Sequence, residues 1–112
     1  MNSLPFVNTY RQDQLDALGD PTRRAIVARL ARREMPVGEL ARSFDVSRPA
    51  ISQHLRVLKD ARLVSDRAEG TRRIYALDMA GFEAVREYLD QFWDQALASF
   101  KRRVESTPGR RK

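Results

Sequence analysis

The segment DVSRPAISQHLRVLKDARLV, residues 45–64, restricts the fold of this chain more than any other stretch. Ser47 is a favoured residue at the start of a helix, because its hydroxyl can accept a hydrogen bond from a free backbone N–H. Pro49 fits in a first helical turn, where its missing N–H costs little. The segment therefore predicts a helix that begins after Ser47 and reaches about Ala61.

This predicted helix has two unlike faces. At about 100° per residue, Ile51, Leu55 and Leu58 fall on one narrow apolar stripe, which needs a core. The other side carries Ser52, Gln53 and Arg56, with Arg48 and Lys59 on its flank. The helix thus predicts one face for the protein interior and one for a polar or anionic partner.

The rest of the chain predicts four further helices and one β-hairpin. Thr9 can cap a short helix from Tyr10 to about Leu18, and Asp20 and Pro21 begin a second that ends near Arg33. A short helix is expected at 37–44, strands at 63–67 and 72–77, and a long helix at 79–104. The expected fold is mainly α with a small two-stranded β-hairpin, in one domain over residues 1–112. Within it, 10–61 is the helical core and 105–112 a basic tail.

The order of these elements predicts a winged helix-turn-helix, with the helix-turn-helix at 37–61 and the wing at 63–77. In that motif the second helix lies in the DNA major groove and its first turns reach base edges. Arginine suits guanine and glutamine suits adenine. The predicted DNA-contact residues are Ser47, Arg48, Ser52, Gln53, Arg56, Lys59, Arg67, Arg72 and Arg73.

Composition agrees with a polyanionic partner. The formal net charge is +6, and 18 of the 21 basic residues are arginine. Residues 47–73 carry a net charge of +4, whereas residues 78–94 carry −4. DNA should contact the first segment and avoid the second.

The chain has no cysteine, which excludes disulfides and thiolate metal sites. No apolar run nears the ~20 residues of a membrane span, and no secretory signal is visible, so a cytoplasmic protein is expected.

The long last helix predicts a homodimer. Its apolar residues recur at steps of mostly three and four, and on a monomer they would leave a large exposed patch. Packing against a symmetry mate and the first helix would cover them. The predicted dimer residues are Leu15, Phe82, Leu89, Phe92, Trp93, Ala96 and Phe100. On the other side, Glu83, Glu87, Asp90 and Asp94 form an acidic stripe, which is either a solvated face or a site for a cation or basic partner.

Three stretches, LGDPTRRAIVARL, VGELARSFDVSRPAISQHLRVLKDARLV and EGTRRIYAL, closely resemble the ArsR-type winged-helix transcriptional repressors. The resemblance covers about residues 15–77 strongly. It implies a homodimeric, sequence-specific repressor that binds an imperfect inverted-repeat operator and is released by a signal. The control stays open between a partner protein, regulation of the protein's own synthesis, a small organic effector and no effector.

The chain departs from this family at two points. Many members sense metals through a cysteine pair before the recognition helix, or through Asp and His on the last helix, but VGELARSF has neither Cys nor His. We therefore expect no metal site and no cofactor.

The second departure is at Arg62, where the family tends to have glycine. A left-handed backbone would cost Arg62 about 1 kcal/mol, so a different helix end is expected, with its guanidinium towards a phosphate.

Other functions have weaker support. His54, the only histidine, is predicted to be packed or hydrogen-bonded at the edge of the core rather than to bind phosphate. No nucleophile-and-base set or phosphate-binding glycine loop is present, so an enzyme is not expected. The alternatives are a metal-responsive repressor of the same fold and a protein-interaction winged helix that does not bind DNA.

Overall fold

The computed structural model describes residues 12–106 of the 112-residue chain. The helices are α1 (12–17), α2 (Pro21–Arg32), α3 (Val37–Ala41), α4 (Arg48–Asp60) and α5 (Met79–Glu105). The strands are β1 (Met35–Pro36), β2 (Val64–Glu69) and β3 (Arg72–Leu77). The described chain is mainly helical with a small antiparallel sheet, as predicted. The expected Thr9 cap, the Tyr10 start of the first helix and residues 107–112 of the basic tail lie outside the described residues.

Side-chain caps begin three of the helices, where backbone N–H groups have no partner within the helix. Asp20 accepts from the N–H of Arg23 at 3.0 Å, and Ser47 accepts from the N–H of Ala50 at 3.2 Å. Both caps are confirmed predictions. Asp78 caps α5 by accepting from the N–H of Ala80 at 3.1 Å.

The sheet has three strands in the order β1-β3-β2, so the expected two-stranded hairpin was incomplete. The additional strand pairs Met35 with Tyr75 and Pro36 with Ile74. Pro36 predicted a break between helices, and the break does occur. A proline is also tolerated in an edge strand, because its missing N–H faces away from the ladder. The wing therefore joins the helical part along this third strand.

Helix α3 is shorter than predicted, since it ends at Ala41 and not near Phe44. The N–H groups of Ser43 and Phe44 donate to carbonyls three residues earlier, at 3.1 Å each. This tighter spacing ends regular α-helix but keeps the chain turning. The connection to α4 accordingly runs over residues 42–47 and is longer than a helix over 37–44 predicts.

The core lies where α1, α2, α4 and the sheet meet. Ile51, Leu55 and Leu58 of α4 are buried, as the apolar stripe predicts. They contribute to one cluster with residues from the other elements: Ala17, Ile26, Leu30, Met35, Leu40, Ala61, Leu63, Val64 and Val85.

The end of α4 differs from its prediction. Arg62 has φ +63°, in the left-handed region, so the expectation of a different cap was wrong. The N–H of Arg62 donates to the carbonyl of Lys59, and the N–H of Leu63 donates to that of Leu58, both at 2.9 Å. These two bonds form a Schellman motif, which satisfies carbonyls of the last helical turn, and the Leu63 side chain is buried next to it. Arg62 therefore takes the position in this motif that glycine usually takes.

Candidate nucleic-acid interface

Helix α4 presents the polar face that the sequence predicts. Ser52, Gln53 and Arg56 are exposed, while the apolar stripe on the other side of the helix is fully buried. Ser47 and Arg48 are also exposed, and the Ser47 hydroxyl is occupied by its capping bond. The first two turns of α4 therefore offer side chains that suit base edges and have no role in the core.

Arginines surround a groove of about 390 Å³ beside the start of α4. Arg48 comes from α4, Arg72 and Arg73 come from the wing, and Arg42 comes from the turn after α3. Glu39 lines the same groove, so its four arginines leave an excess of positive charge, which favours an anion such as a phosphate. Arg42 was missed by sequence reasoning, because a basic residue at a helix end also suits an ordinary solvated position.

A second groove, of about 540 Å³, separates α4 from the wing. Its polar wall is formed by Ser52, Arg56, Lys59 and Asp60 on α4, and Tyr75 of β3 closes the other side. This groove continues the exposed face of α4 towards the sheet, so a ligand lying along α4 would also meet the wing.

Asp66 joins the wing to α4 through two cations. Its carboxylate lies 2.9 Å from Nζ of Lys59 and 3.0 Å from Nε of Arg73, and its side chain is only 8% exposed. The hydrogen bond from Lys59, helped by the charges of Lys59 and Arg73, holds the pKa of Asp66 below its ordinary value. Lys59 and Arg73 were predicted DNA contacts, and sequence reasoning missed the carboxylate that holds them together.

Arg67, another predicted DNA contact, is bound to Glu34. Its two Nη atoms donate to the Glu34 carboxylate at 2.9 and 2.7 Å. This pairing raises the pKa of Arg67 and lowers that of Glu34. Strand alternation sends Arg67 and Asp66 to opposite faces of β2. Arg67 therefore lies away from the α4 side of the wing. Arg72, another predicted DNA contact, has its Nη2 3.8 Å from a carboxylate oxygen of Glu69.

His54 lies half-buried at the edge of α4, where the sequence predicts a packed or hydrogen-bonded side chain. Its Nδ1 is 3.4 Å from Nη1 of Arg23. The Nε of Arg23 in turn donates to the carbonyl of Ala17 at 2.7 Å. Arg23 thus connects α1, α2 and α4, and His54 contributes to that connection.

Helix α5 carries a long exposed apolar face. Phe92 and Trp93 stack edge to face, with ring centroids 6.3 Å apart, and both are more than half exposed. Leu89, Leu97, Phe100 and Val104 are exposed as well. Among the predicted dimer residues, Leu15 and Phe82 pack against the chain's own core, whereas Leu89, Phe92, Trp93 and Phe100 are exposed and Ala96 is half-buried.

The acidic stripe of Glu83, Glu87, Asp90 and Asp94 is exposed along α5. Asp90 approaches Arg86 at 4.0 Å. Within residues 12–106, the structure has no group of three or more His, Asp or Glu side chains that could hold a metal ion. None of the helices in that range is long and apolar enough to cross a membrane.

Comparisons with known proteins agree with this geometry. Residues 20–66 match the family model described as bacterial regulatory protein, arsR family. The chain is 55% identical over 102 residues to HTH-type transcriptional regulator Rv2034 of Mycobacterium tuberculosis, covering 89% of this chain and 95% of that protein. It is also 42% identical over 62 residues to transcriptional repressor SdpR of Bacillus subtilis, covering 55% of this chain and 69% of that protein.

Two solved structures share the fold. A possible transcriptional regulator for arsenical resistance is 45% identical, with a TM-score of 0.68 over 78% of this chain and 95% of that one. The homodimeric winged helix-turn-helix DNA-binding domain of Mb0332 from Mycobacterium bovis is 26% identical, with a TM-score of 0.69 over 87% of this chain and 90% of that one. These structures confirm the predicted winged helix-turn-helix. The matching family and relatives are transcriptional regulators, which is the class of protein that the sequence predicts. The chain belongs to the ArsR family of bacterial transcriptional regulators, whose winged helix-turn-helix is a DNA-binding domain.

Proposed function

We propose that this protein is a homodimeric repressor that binds an imperfect inverted-repeat operator in the cytoplasm. The observation that carries the proposal is the division of α4: its apolar stripe is buried in the core, and its polar face is exposed beside two grooves. A helix of this kind fits a major groove.

The side chains of α4 divide between bases and backbone. Arg48 and Arg56 are proposed to bind guanine edges, and Gln53 an adenine edge, because their donors and acceptors match those bases. Ser52 is proposed to bind a base or a phosphate. These contacts supply sequence discrimination, since base edges differ between base pairs and phosphates do not.

The basic residues around α4 supply affinity. Arg42, Arg72 and Arg73 line the groove at the start of α4, and their positive charge exceeds the negative charge of Glu39, which supports binding of a backbone phosphate. Lys59 and Arg73 are held by Asp66 and are proposed to contact phosphates while so held. Arg67 is bound to Glu34, so we assign it a smaller part in DNA binding than its sequence position predicts.

The exposed apolar face of α5 supports the dimer. A chain alone in water would leave Leu89, Phe92, Trp93, Leu97, Phe100 and Val104 in solvent. A two-fold pair of α5 helices would cover them, and the relative Mb0332 is a homodimer. Two α4 helices about 34 Å apart could then enter successive major grooves on one side of the duplex.

We propose no metal sensing for this chain. The described residues lack a cluster of metal-ligating side chains, and the sequence has no cysteine. Dialysis against zinc followed by metal analysis tests this point. Stoichiometric, tightly bound zinc would show that the metal-responsive alternative is right.

Selection of binding sites from random duplexes tests the proposed function. The wild-type protein should enrich an inverted repeat. Arg56→Ala should lose discrimination at one position of each half-site, whereas Arg73→Ala should weaken binding to every duplex alike. If the wild-type protein enriches no sequence, the protein-interaction alternative is favoured instead.

A further inference from the structure

Three consecutive carbonyls directly after α4 contact the elements that form the proposed dimer. The carbonyl of Ala61 accepts from Nε2 of Gln14 on α1 at 3.2 Å. The carbonyl of Arg62 lies against Gly81 of α5. The carbonyl of Leu63 accepts from the N–H of Asp78, the N-cap of α5, at 2.9 Å. We call residues 61–63 with these partners the α4–α5 junction.

Gly81 leaves no room for a side chain against the Arg62 carbonyl. A Cβ added at this position would lie 1.8 Å from the carbonyl oxygen of Arg62 and 2.8 Å from its carbonyl carbon. Both are backbone atoms, so no side chain can rotate out of the way. Cβ atoms essentially never approach closer than 3.0 Å, so the two segments would have to separate by at least 1.2 Å. The first turn of α5 can therefore reach the end of α4 only with glycine at 81.

The partner carbonyl is itself fixed. Arg62 has φ +63°, and the N–H groups of Arg62 and Leu63 are both bonded to the last turn of α4. The direction of the Arg62 carbonyl is therefore tied to the axis of α4. Gln14 adds a buried bond from α1 to the neighbouring residue. The junction consequently fixes α4 against α5 through backbone atoms, without a flexible side chain between the two helices.

We propose that Gly81 is a specificity-determining residue, because its contact with Arg62 sets the angle between α4 and α5. This proposal rests on the proposed function, in which α5 holds the partner subunit and α4 reads DNA. If α5 is fixed by its partner, the angle at the junction determines the separation of the two α4 helices. That separation determines which half-site spacing the dimer accepts. Helix α5 has 27 residues, about 40 Å, so a small tilt at its first turn displaces its far end considerably.

Two measurements on Gly81→Ala test this proposal. The chain has no cysteine, so Asp60→Cys gives a single spin label per subunit on α4. In the DNA-free dimer, we expect Gly81→Ala to change the distance between the two labels by about 1.2 Å or more. In a selection from half-sites with varied spacers, we expect the preferred spacer to shift or its enrichment to fall at least tenfold. The matched control for the label distance is Gly38→Ala on α3, where an added Cβ would meet nothing within 4 Å.

The outcomes separate this proposal from the proposed function. If the wild-type protein selects a spacer, and Gly81→Ala keeps both that spacer and the label distance, the role of Gly81 is wrong and the proposed function stands. If the wild-type protein selects no spaced pair of half-sites, the proposed function fails.

A second variant covers the case in which Gly81→Ala does not fold as a dimer. Gln14→Met keeps the length of the side chain and removes the bond to Ala61. We expect it to broaden the distribution of label distances and to weaken the spacer preference. An unchanged distribution in Gln14→Met would overturn the proposed role of the junction.

Discussion

The carboxylate of Asp66 lies 2.9 Å from Nζ of Lys59, which joins strand β2 of the wing to the last turn of α4. The same carboxylate is 3.0 Å from Nε of Arg73, on the neighbouring strand. One nearly buried acid thus holds two of the basic residues proposed to contact DNA. It lowers the local positive charge, and it joins the wing to α4.

Asp66→Asn should reduce sequence discrimination. The variant loses the charge that orients Lys59 and Arg73, so binding to random duplexes should tighten while binding to the selected operator does not. We expect the ratio of the two affinities to fall about fivefold, equivalent to ~1 kcal/mol. Fluorescence anisotropy at several salt concentrations measures both. Asp60→Asn, an exposed position of the same charge on α4, is the control. Equal effects of the two substitutions would mean that Asp66 acts only through net charge.

Stability should fall in acid, because hydrogen bonds from Lys59 and Arg67 keep the pKa values of Asp66 and Glu34 below their ordinary 3.8 and 4.5. A carboxyl group whose pKa is lowered by folding stabilises the folded state at pH values above its ordinary pKa. This contribution is lost as the pH falls through the lowered pKa of the folded state. The free energy of unfolding should therefore be nearly constant from pH 7 to about 5 and decline below it. Urea unfolding at fixed protein concentration measures this. Asp66→Asn should show a smaller decline, and an equal one would contradict the assignment.

Arg42→Ala should weaken binding to every duplex alike. The Arg42 guanidinium borders the groove at the start of α4, and losing one phosphate contact releases one counterion fewer. We expect the slope of log affinity against log salt to become shallower by about 0.9, with the selected sequence unchanged. Arg32→Ala, which removes an exposed arginine from the last turn of α2, is the control. A slope equal to that of the wild-type protein would exclude Arg42 from the interface.

Arg62→Gly should stabilise the protein. Arg62 has φ +63°, and glycine adopts this conformation without the strain of a Cβ. We expect the free energy of unfolding to rise by about 1 kcal/mol. Arg62→Ala separates this backbone effect from the loss of the guanidinium, since alanine keeps the strain. If Arg62→Ala gains as much as Arg62→Gly, the gain comes from removing charge and not from relieving strain.

Local chemistry made much of this fold predictable. Asp20 and Ser47 begin helices because their side chains accept backbone N–H groups, and Pro21 and Pro49 are tolerated next to them. The division of α4 follows from residue spacing alone. The helix-turn-helix and most of the wing could therefore be predicted without any long-range contact.

The remaining features depend on residues distant in sequence. Strand β1 exists only because β3 pairs with it, and Pro36 gave no local sign of a strand. The pairing of Arg67 with Glu34, 33 residues earlier, had no local signal either. The left-handed Arg62 has its carbonyl against Gly81, 19 residues later in the chain. Composition and periodicity carry no information on such pairings.

Loss of the dimer should abolish operator binding without unfolding the chain. Trp93 lies on the exposed face of α5, away from the core, so Trp93→Glu should leave the fold intact and place a charge in the proposed dimer contact. Sedimentation should then show single chains at concentrations where the wild-type protein is a dimer. Glu87→Gln, on the acidic side of the same helix, should remain dimeric.

Hydroxyl-radical footprinting of the wild-type protein on its selected operator tests the central claim most directly. Two copies joined through α5 should protect two half-sites whose centres lie about 34 Å apart on one side of the duplex, and both should disappear together in Trp93→Glu. Protection of a single half-site, or the same two-site pattern from Trp93→Glu as a single chain, would contradict the account.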